Sequence, residues 1–135
     1  MTAVDTNVVV RLLTQDDLKQ AAASKALFSA GPIWIAKTVL FETAWVLRSL
    51  YAFDEKAVSD AFTKLLGLKN VHTEDKASMA DALALTAHGI ELADAIHLSS
   101  RPPGSAFVSF DRSFVRRANR AGVTRVSIVA TARRD

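Results

Sequence analysis

Four acids carry the chemical argument in this chain: Asp5, Glu42, Asp94 and Asp111. Asp5 stands in Val4-Asp5-Thr6-Asn7, at the end of a first short strand and flanked by core-type residues. Glu42 falls about 40° from Val46 and about 60° from Val39 on a helical wheel, at roughly 100° per residue, so it is expected on or beside an apolar stripe. Asp94 follows Glu91 by three positions, which lets one helix present both acids to one area. Asp111 comes just after the buried-looking run Val108-Ser109-Phe110. An ionised carboxylate is costly to bury unless it is paired, hydrogen-bonded or metal-bound. Four crowded carboxylates repel one another, and a hard cation removes that repulsion. Oxygen ligands with waters suit Mg²⁺ or Mn²⁺. Such ions activate a water, orient a phosphodiester and stabilise charge on the leaving oxygen.

Each acid also has a simpler use. Asp111 can cap the helix that follows it. Asp94 can be a first-turn acid favoured by the helix dipole. Glu42 can lie at the edge of its stripe, paired with Arg48 or Lys37. His97 reads as an ordinary surface or half-buried histidine, outside any ligand set. Asn7 and Ser109 can hydrogen-bond a carboxylate or a metal-bound water. The case rests on the four acids together, set at strand ends and helix faces with no equal supply of buried bases nearby.

The elements that must position them alternate. Residues 2–5 read as a short strand, and Val8 to Leu13 suits either its extension or a short buried helix. Asp16-Asp17 opens a helix over 17–29 whose apolar side is expected to be Leu18, Ala21, Ala22 and Ala26. Ile33 to Ile35 reads as a strand. Residues 37–51 read as a helix with a buried face of Val39, Thr43, Val46, Leu47 and Leu50. Asp54 caps a helix over 55–67 that Gly67 closes. Residues 70–73 form a strand, and helices follow over 75–87 and 91–101. The prolines at 102 and 103 break regular structure. A strand over 105–109, a helix over 111–120 ended by Gly122, a strand over 125–129 and a frayed tail complete the chain. Short strands separated by helices point to one α/β domain over residues 1–135, with a mainly parallel sheet covered on both faces. In such sheets ligands bind beyond the carboxyl ends of the strands, where Asp5 and Asp111 fall.

Composition narrows the function classes. No apolar run approaches a membrane span, and no signal-peptide pattern opens the chain. The chain has no cysteine, which removes disulfides and thiolate metal sites and makes cytoplasm the expected location. Residues 1–100 hold 9 Lys and Arg against 12 Asp and Glu, whereas residues 101–135 hold 8 Arg against 2 Asp. That basic last quarter, including Arg112, Arg116, Arg117 and Arg120, suits a polyanion beside an acidic site. A Gly-rich phosphate loop, a dinucleotide fingerprint and a serine-hydrolase elbow are all missing.

Asp5-Thr6-Asn7, Glu42 before Trp45-Val46-Leu47, Ala93-Asp94-Ala95 and Ser109-Phe110-Asp111 together resemble the PIN-domain ribonucleases, most closely the VapC-type toxins of toxin–antitoxin pairs. The resemblance covers nearly the whole chain. It implies a three-layer α/β/α sandwich with a mainly parallel central sheet of four or five short strands, and a helix beginning in the Val8–Leu13 run. It implies that Asp5, Glu42, Asp94 and Asp111 coordinate one or two Mg²⁺ or Mn²⁺ ions to cleave single-stranded RNA or exposed loops. Asn7 matches the family's polar residue after the first acid. Ser109 stands where threonine is usual, and Glu91 and Leu92 stand where Asp and Phe are usual, which makes Glu91 a peripheral acid. A homodimer, a small cognate antitoxin that blocks the groove with an Arg, and operator DNA reached only through that antitoxin are also implied. The alternatives are a DNA- or structure-specific nuclease of the same fold, and a non-catalytic acidic-pocket signalling or binding domain. A receiver-like domain would need a late Lys, and this chain has none after Lys76.

Overall fold

Aspartates set where most of the helices begin. In the computed structural model, which describes residues 1–131, Asp5, Asp17, Asp54, Asp75 and Asp111 each stand just before a helix. Each accepts the backbone N–H three residues on: Val8, Gln20, Ala57, Ser78 and Phe114. A carboxylate there satisfies an orphan donor and meets the positive end of the helix dipole. The helices so started are α1 (Thr6–Thr14), α2 (Leu18–Ala30), α4 (Glu55–Gly67), α5 (Lys76–Thr86) and α7 (Arg112–Arg120). The other two described helices, α3 (Lys37–Ser49) and α6 (Leu92–Ser99), follow Ala36 and Glu91, neither of which makes a side-chain cap bond. Remote carboxylates serve instead. Glu74 accepts the Lys37 N–H and Glu55 accepts the Leu92 N–H.

Between the helices run β1 (Thr2–Ala3), β2 (Ile33–Trp34), β3 (Val71–His72), β4 (Phe107–Ser109) and β5 (Val126–Ile128). All ladders are parallel, and the architecture is α/β/α as expected. The five strands fall into two hydrogen-bonded groups, β1-β2-β3 and β4-β5. Thr2 and Val4 donate to the β2 side, so the alternation of a parallel ladder turns the backbone groups of Ala3 to a free edge. Phe107 and Ser109 bond to the β5 side, which turns Val108 to a free edge in the same way. Val108 and Phe110, expected to be buried, are 58% and 71% exposed. The frayed tail falls in part on residues 132–135, outside the described residues.

One core runs through both groups, from Val4 and Val9 through Ile33, Ile35, Leu40, Leu47, Phe62 and Leu92 to Phe114 and Val126. Two helix faces differ from expectation. In α2 the buried residues are Ala21, Ser24 and Phe28, while Leu18 is 79% exposed. In α3 the core takes Leu40, Thr43, Ala44 and Leu47, while Val39 is only half-buried and Leu50 is exposed. Both helices are apolar over much of their circumference, so alternative stripes compete and tertiary packing decides. The Val8–Leu13 run is helical, because Asp5 caps it and Val9 and Val10 pack inward.

Asn70 pins the second strand in place. Its side-chain amide donates to the carbonyls of Phe28 (2.6 Å) and Gly31 (2.9 Å), which closes the end of α2 against the start of β3. Asn70→Ala leaves both carbonyls without that donor and should lower unfolding free energy by about 1–3 kcal/mol. Urea denaturation reads the loss, and an unchanged midpoint contradicts it.

Candidate functional site

Asp94 sits in the first turn of α6 and, alone among the four acids singled out, is half-buried; Asp5, Glu42 and Asp111 are exposed. None of the four forms an ion pair with a described residue. Asp94 and Asp111 come together. Both line a cavity of about 180 Å³ with Glu91, Ser113 and Arg117, and a second of about 210 Å³ with His97, Val108 and Ser109. Ser109 accepts the Asp111 N–H at 3.0 Å through its hydroxyl, which fixes the turn that leads from β4 into α7. Burial holds the Asp94 carboxyl above its ordinary range. Glu91 and Asp111 push it the same way, and His97 opposes them.

Asp5 and Glu42 line neither of these two cavities. Asp5 uses Oδ1 to accept the Val8 N–H at 3.2 Å as the cap of α1. It ends β1, whereas Asp111 follows β4, and those strands are not paired. Asn7 is exposed on the first turn of α1. Glu42 corrects the sequence reading. It lies roughly 150° round the wheel from the centre of the observed buried face, at about 100° per residue, and so faces outward. It borders an open apolar groove of about 720 Å³ with Phe41, Trp45, Ile96 and His97. The rings of Phe41 and His97 pack at 4.7 Å, and His97 borders both this groove and the Asp94 cavity.

Among the described residues no three Asp, Glu or His side chains gather so as to hold a metal ion. The arrangement supplies a pair of carboxylates with a third acid nearby, and a four-acid cage is not assembled. Glu91, Asp94 and Asp111 on one cavity wall offer carboxylate oxygens, the donor type a hard divalent cation takes.

Arg117 lines the Asp94–Asp111 cavity while donating to the Gly89 carbonyl at 3.2 Å. Arg112, Arg116 and Arg120 are exposed on the same helix, whose other side buries Phe114, Val115 and Ala118. An anionic chain entering the cavity would therefore meet guanidinium groups beside carboxylates.

Glu55 escapes the sequence reading, which weighs Arg48 only as a partner for Glu42. Glu55 accepts the Leu92 N–H at 3.1 Å and pairs with Arg48 at 2.8 Å. Burial raises its pKa against the lowering effect of the Leu92 N–H. Arg48 also reaches Glu91 at 3.4 Å, so Glu91 is tied to a cation at the rim of the cavity. A Glu directly after a capping Asp reads locally as a first-turn acid, and no signal in the sequence pointed to a bond across 37 residues.

The raised pKa of Asp94 has a definite sign in stability. Native Asp94 binds a proton more readily than the unfolded chain does, so its ionisation subtracts from stability as pH rises through its titration range. Well below that range the carboxyl is protonated in both states and the cost is absent. Asp94→Asn removes the charge. In EDTA the variant should gain stability relative to wild type as pH rises from about 3 to about 7. Urea denaturation across that range tests this, and a gap that stays flat or narrows contradicts it.

No curated protein matches the chain. The family model described as the PIN domain matches residues 2–120, from β1 through the end of α7, and the chain belongs to the PIN-domain family.

Proposed function

We propose that this protein is a metal-dependent endoribonuclease acting as the toxin of a type II toxin–antitoxin pair. Membership of the PIN family supports a nuclease-type enzyme. The observation that carries the finer reading is the cavity shared by Asp94 and Asp111, with Glu91 beside them and Arg117 on its wall. Paired carboxylates without a basic partner favour a divalent cation, Mg²⁺ or Mn²⁺, and the adjoining arginines favour a phosphate-bearing substrate. In this reading Asp94 and Asp5 are the principal ligands. Glu42 and Asp111 complete the set directly or through water. Asn7, Ser109 and Glu91 support it, and Arg112, Arg116, Arg117 and Arg120 track RNA phosphates.

The partners are a small antitoxin, the RNA and a second copy of the chain; operator DNA is met only through the antitoxin. The exposed Trp45, at 52%, beside the apolar groove between α3 and α6 supports a protein-covered face there. No described helix is long and apolar enough to cross a membrane, and a cytoplasmic site of action fits the reading.

The test is cleavage of a mixed single-stranded RNA pool with Mg²⁺ or Mn²⁺, against EDTA, by wild type, Asp5→Asn and Asp94→Asn. Asparagine caps a helix about as well as aspartate, so D5N keeps the start of α1 intact. Wild type should cut only with metal, and both variants should lose orders of magnitude in rate while remaining folded. Identical traces from wild type and D5N would sink the assignment. Replacing Arg112, Arg116 and Arg120 by Ala should weaken RNA binding and flatten its dependence on log salt, by up to about 0.7 for each phosphate no longer neutralised. A salt slope equal to that of wild type would remove these arginines from the RNA path.

A further inference from the structure

The start of α6 is held in an unusual way. Five described helices take their cap from the residue in front of them, but Glu91 offers α6 no side-chain bond. The acceptor for the Leu92 N–H is Glu55 Oε2, at 3.1 Å, from the first turn of α4. The other oxygen of Glu55 takes Arg48 Nε at 2.8 Å. Arg48 then spends its remaining nitrogens on the Phe53 carbonyl (2.8 Å) and on Glu91 Oε1 (3.4 Å). One guanidinium thus joins the end of α3, the loop into α4, the first turn of α4 and the residue in front of α6.

A cap supplied from within a helix fixes where the helix starts but leaves its rigid-body placement free. A cap supplied by another helix fixes placement as well. The turn so placed is the one that carries Asp94. The same clamp draws Glu55 and Glu91 onto Arg48, so two of the acids around α6 are answered by a cation and Asp94 is not.

We propose that Glu55 and Arg48 are positioning residues that set Asp94 in the cavity it shares with Asp111, a role that rests on the nuclease reading above. Neither touches substrate. Glu55 acts through the Leu92 N–H, and Arg48 acts through Glu55 and Glu91. Misplacement of a reacting group by about 1 Å can cost up to about a hundredfold in rate. The clamp therefore belongs in kcat rather than in substrate affinity.

The experiment compares Glu55→Ala, Glu55→Gln and Arg48→Ala with wild type in RNA cleavage and in Mn²⁺ binding by calorimetry. Thermal unfolding serves as the check on folding. Gln keeps an oxygen for the Leu92 N–H, whereas Ala removes it. E55A should lose roughly tenfold to a hundredfold in kcat at unchanged KM and bind Mn²⁺ more weakly, and E55Q, which keeps the Leu92 acceptor but loses the ion pair with Arg48, should recover part of both. A folded E55A with wild-type kcat and Mn²⁺ affinity overturns the proposal, as does an E55Q as impaired as E55A. If E55A does not fold, R48A decides: it leaves the Glu55–Leu92 bond but frees both glutamates, and an unchanged kcat in folded R48A overturns the proposal. A wild type that neither cuts RNA nor binds Mn²⁺ removes the nuclease reading and this proposal with it. A cutting wild type matched by E55A removes the proposal alone.

Discussion

Asp94 stands half-buried at the head of α6, with Glu91 one turn before it and Asp111 across a shared cavity. Burial and these neighbours all disfavour its charge, and His97 is the group that offsets them. Carboxyls held above their ordinary range inside a cleft cluster at functional sites. Arg48 is committed to Glu55 and Glu91. Arg117 reaches the cavity wall but gives a hydrogen bond to the Gly89 carbonyl. Asp94 therefore has no ion-pair partner among the described residues.

The helix caps and the candidate ligands are partly the same atoms. Asp5 and Asp111 each give one carboxylate oxygen, Oδ1, to a backbone N–H at a helix start. A carboxylate has two oxygens and several lone pairs, so the cap leaves Oδ2 available. Capping also orients the side chain and lowers the cost of keeping it ionised at the positive end of the dipole. The structural and chemical uses of these aspartates reinforce each other. Neither can be argued against the other from position alone.

Much of this was legible along the chain because it is local. The capping roles of Asp54 and Asp111, the helices they start and the α/β alternation follow from neighbours within four residues. What failed was non-local. Val39 and Val46 put Glu42 on or beside the expected core face; the core does take Thr43 and Leu47 from that face, but joins them with Leu40 and Ala44, and the stripe turns away from Glu42. Strands of two or three residues carry too little pattern to say which edges meet, so the separation of β4-β5 from β1 was not readable. The bonds from Glu55 to Leu92 and from Glu74 to Lys37 join residues 37 apart and leave no trace in either local sequence. The acids are visible in residue types, and the bonds across the fold that place them are not.

On the proposed function, the carboxylates around Asp94 bind a divalent cation. Calorimetric titration of Mn²⁺ into wild type and Asp94→Asn, with Lys56→Ala as a surface control, tests it most directly. Among the described residues Lys56 pairs only with exposed Asp60 on α4, and it should not matter. The account predicts saturable binding in wild type and the control, and its loss in D94N. Equal binding in wild type and D94N, or no binding in a folded wild type, would contradict it.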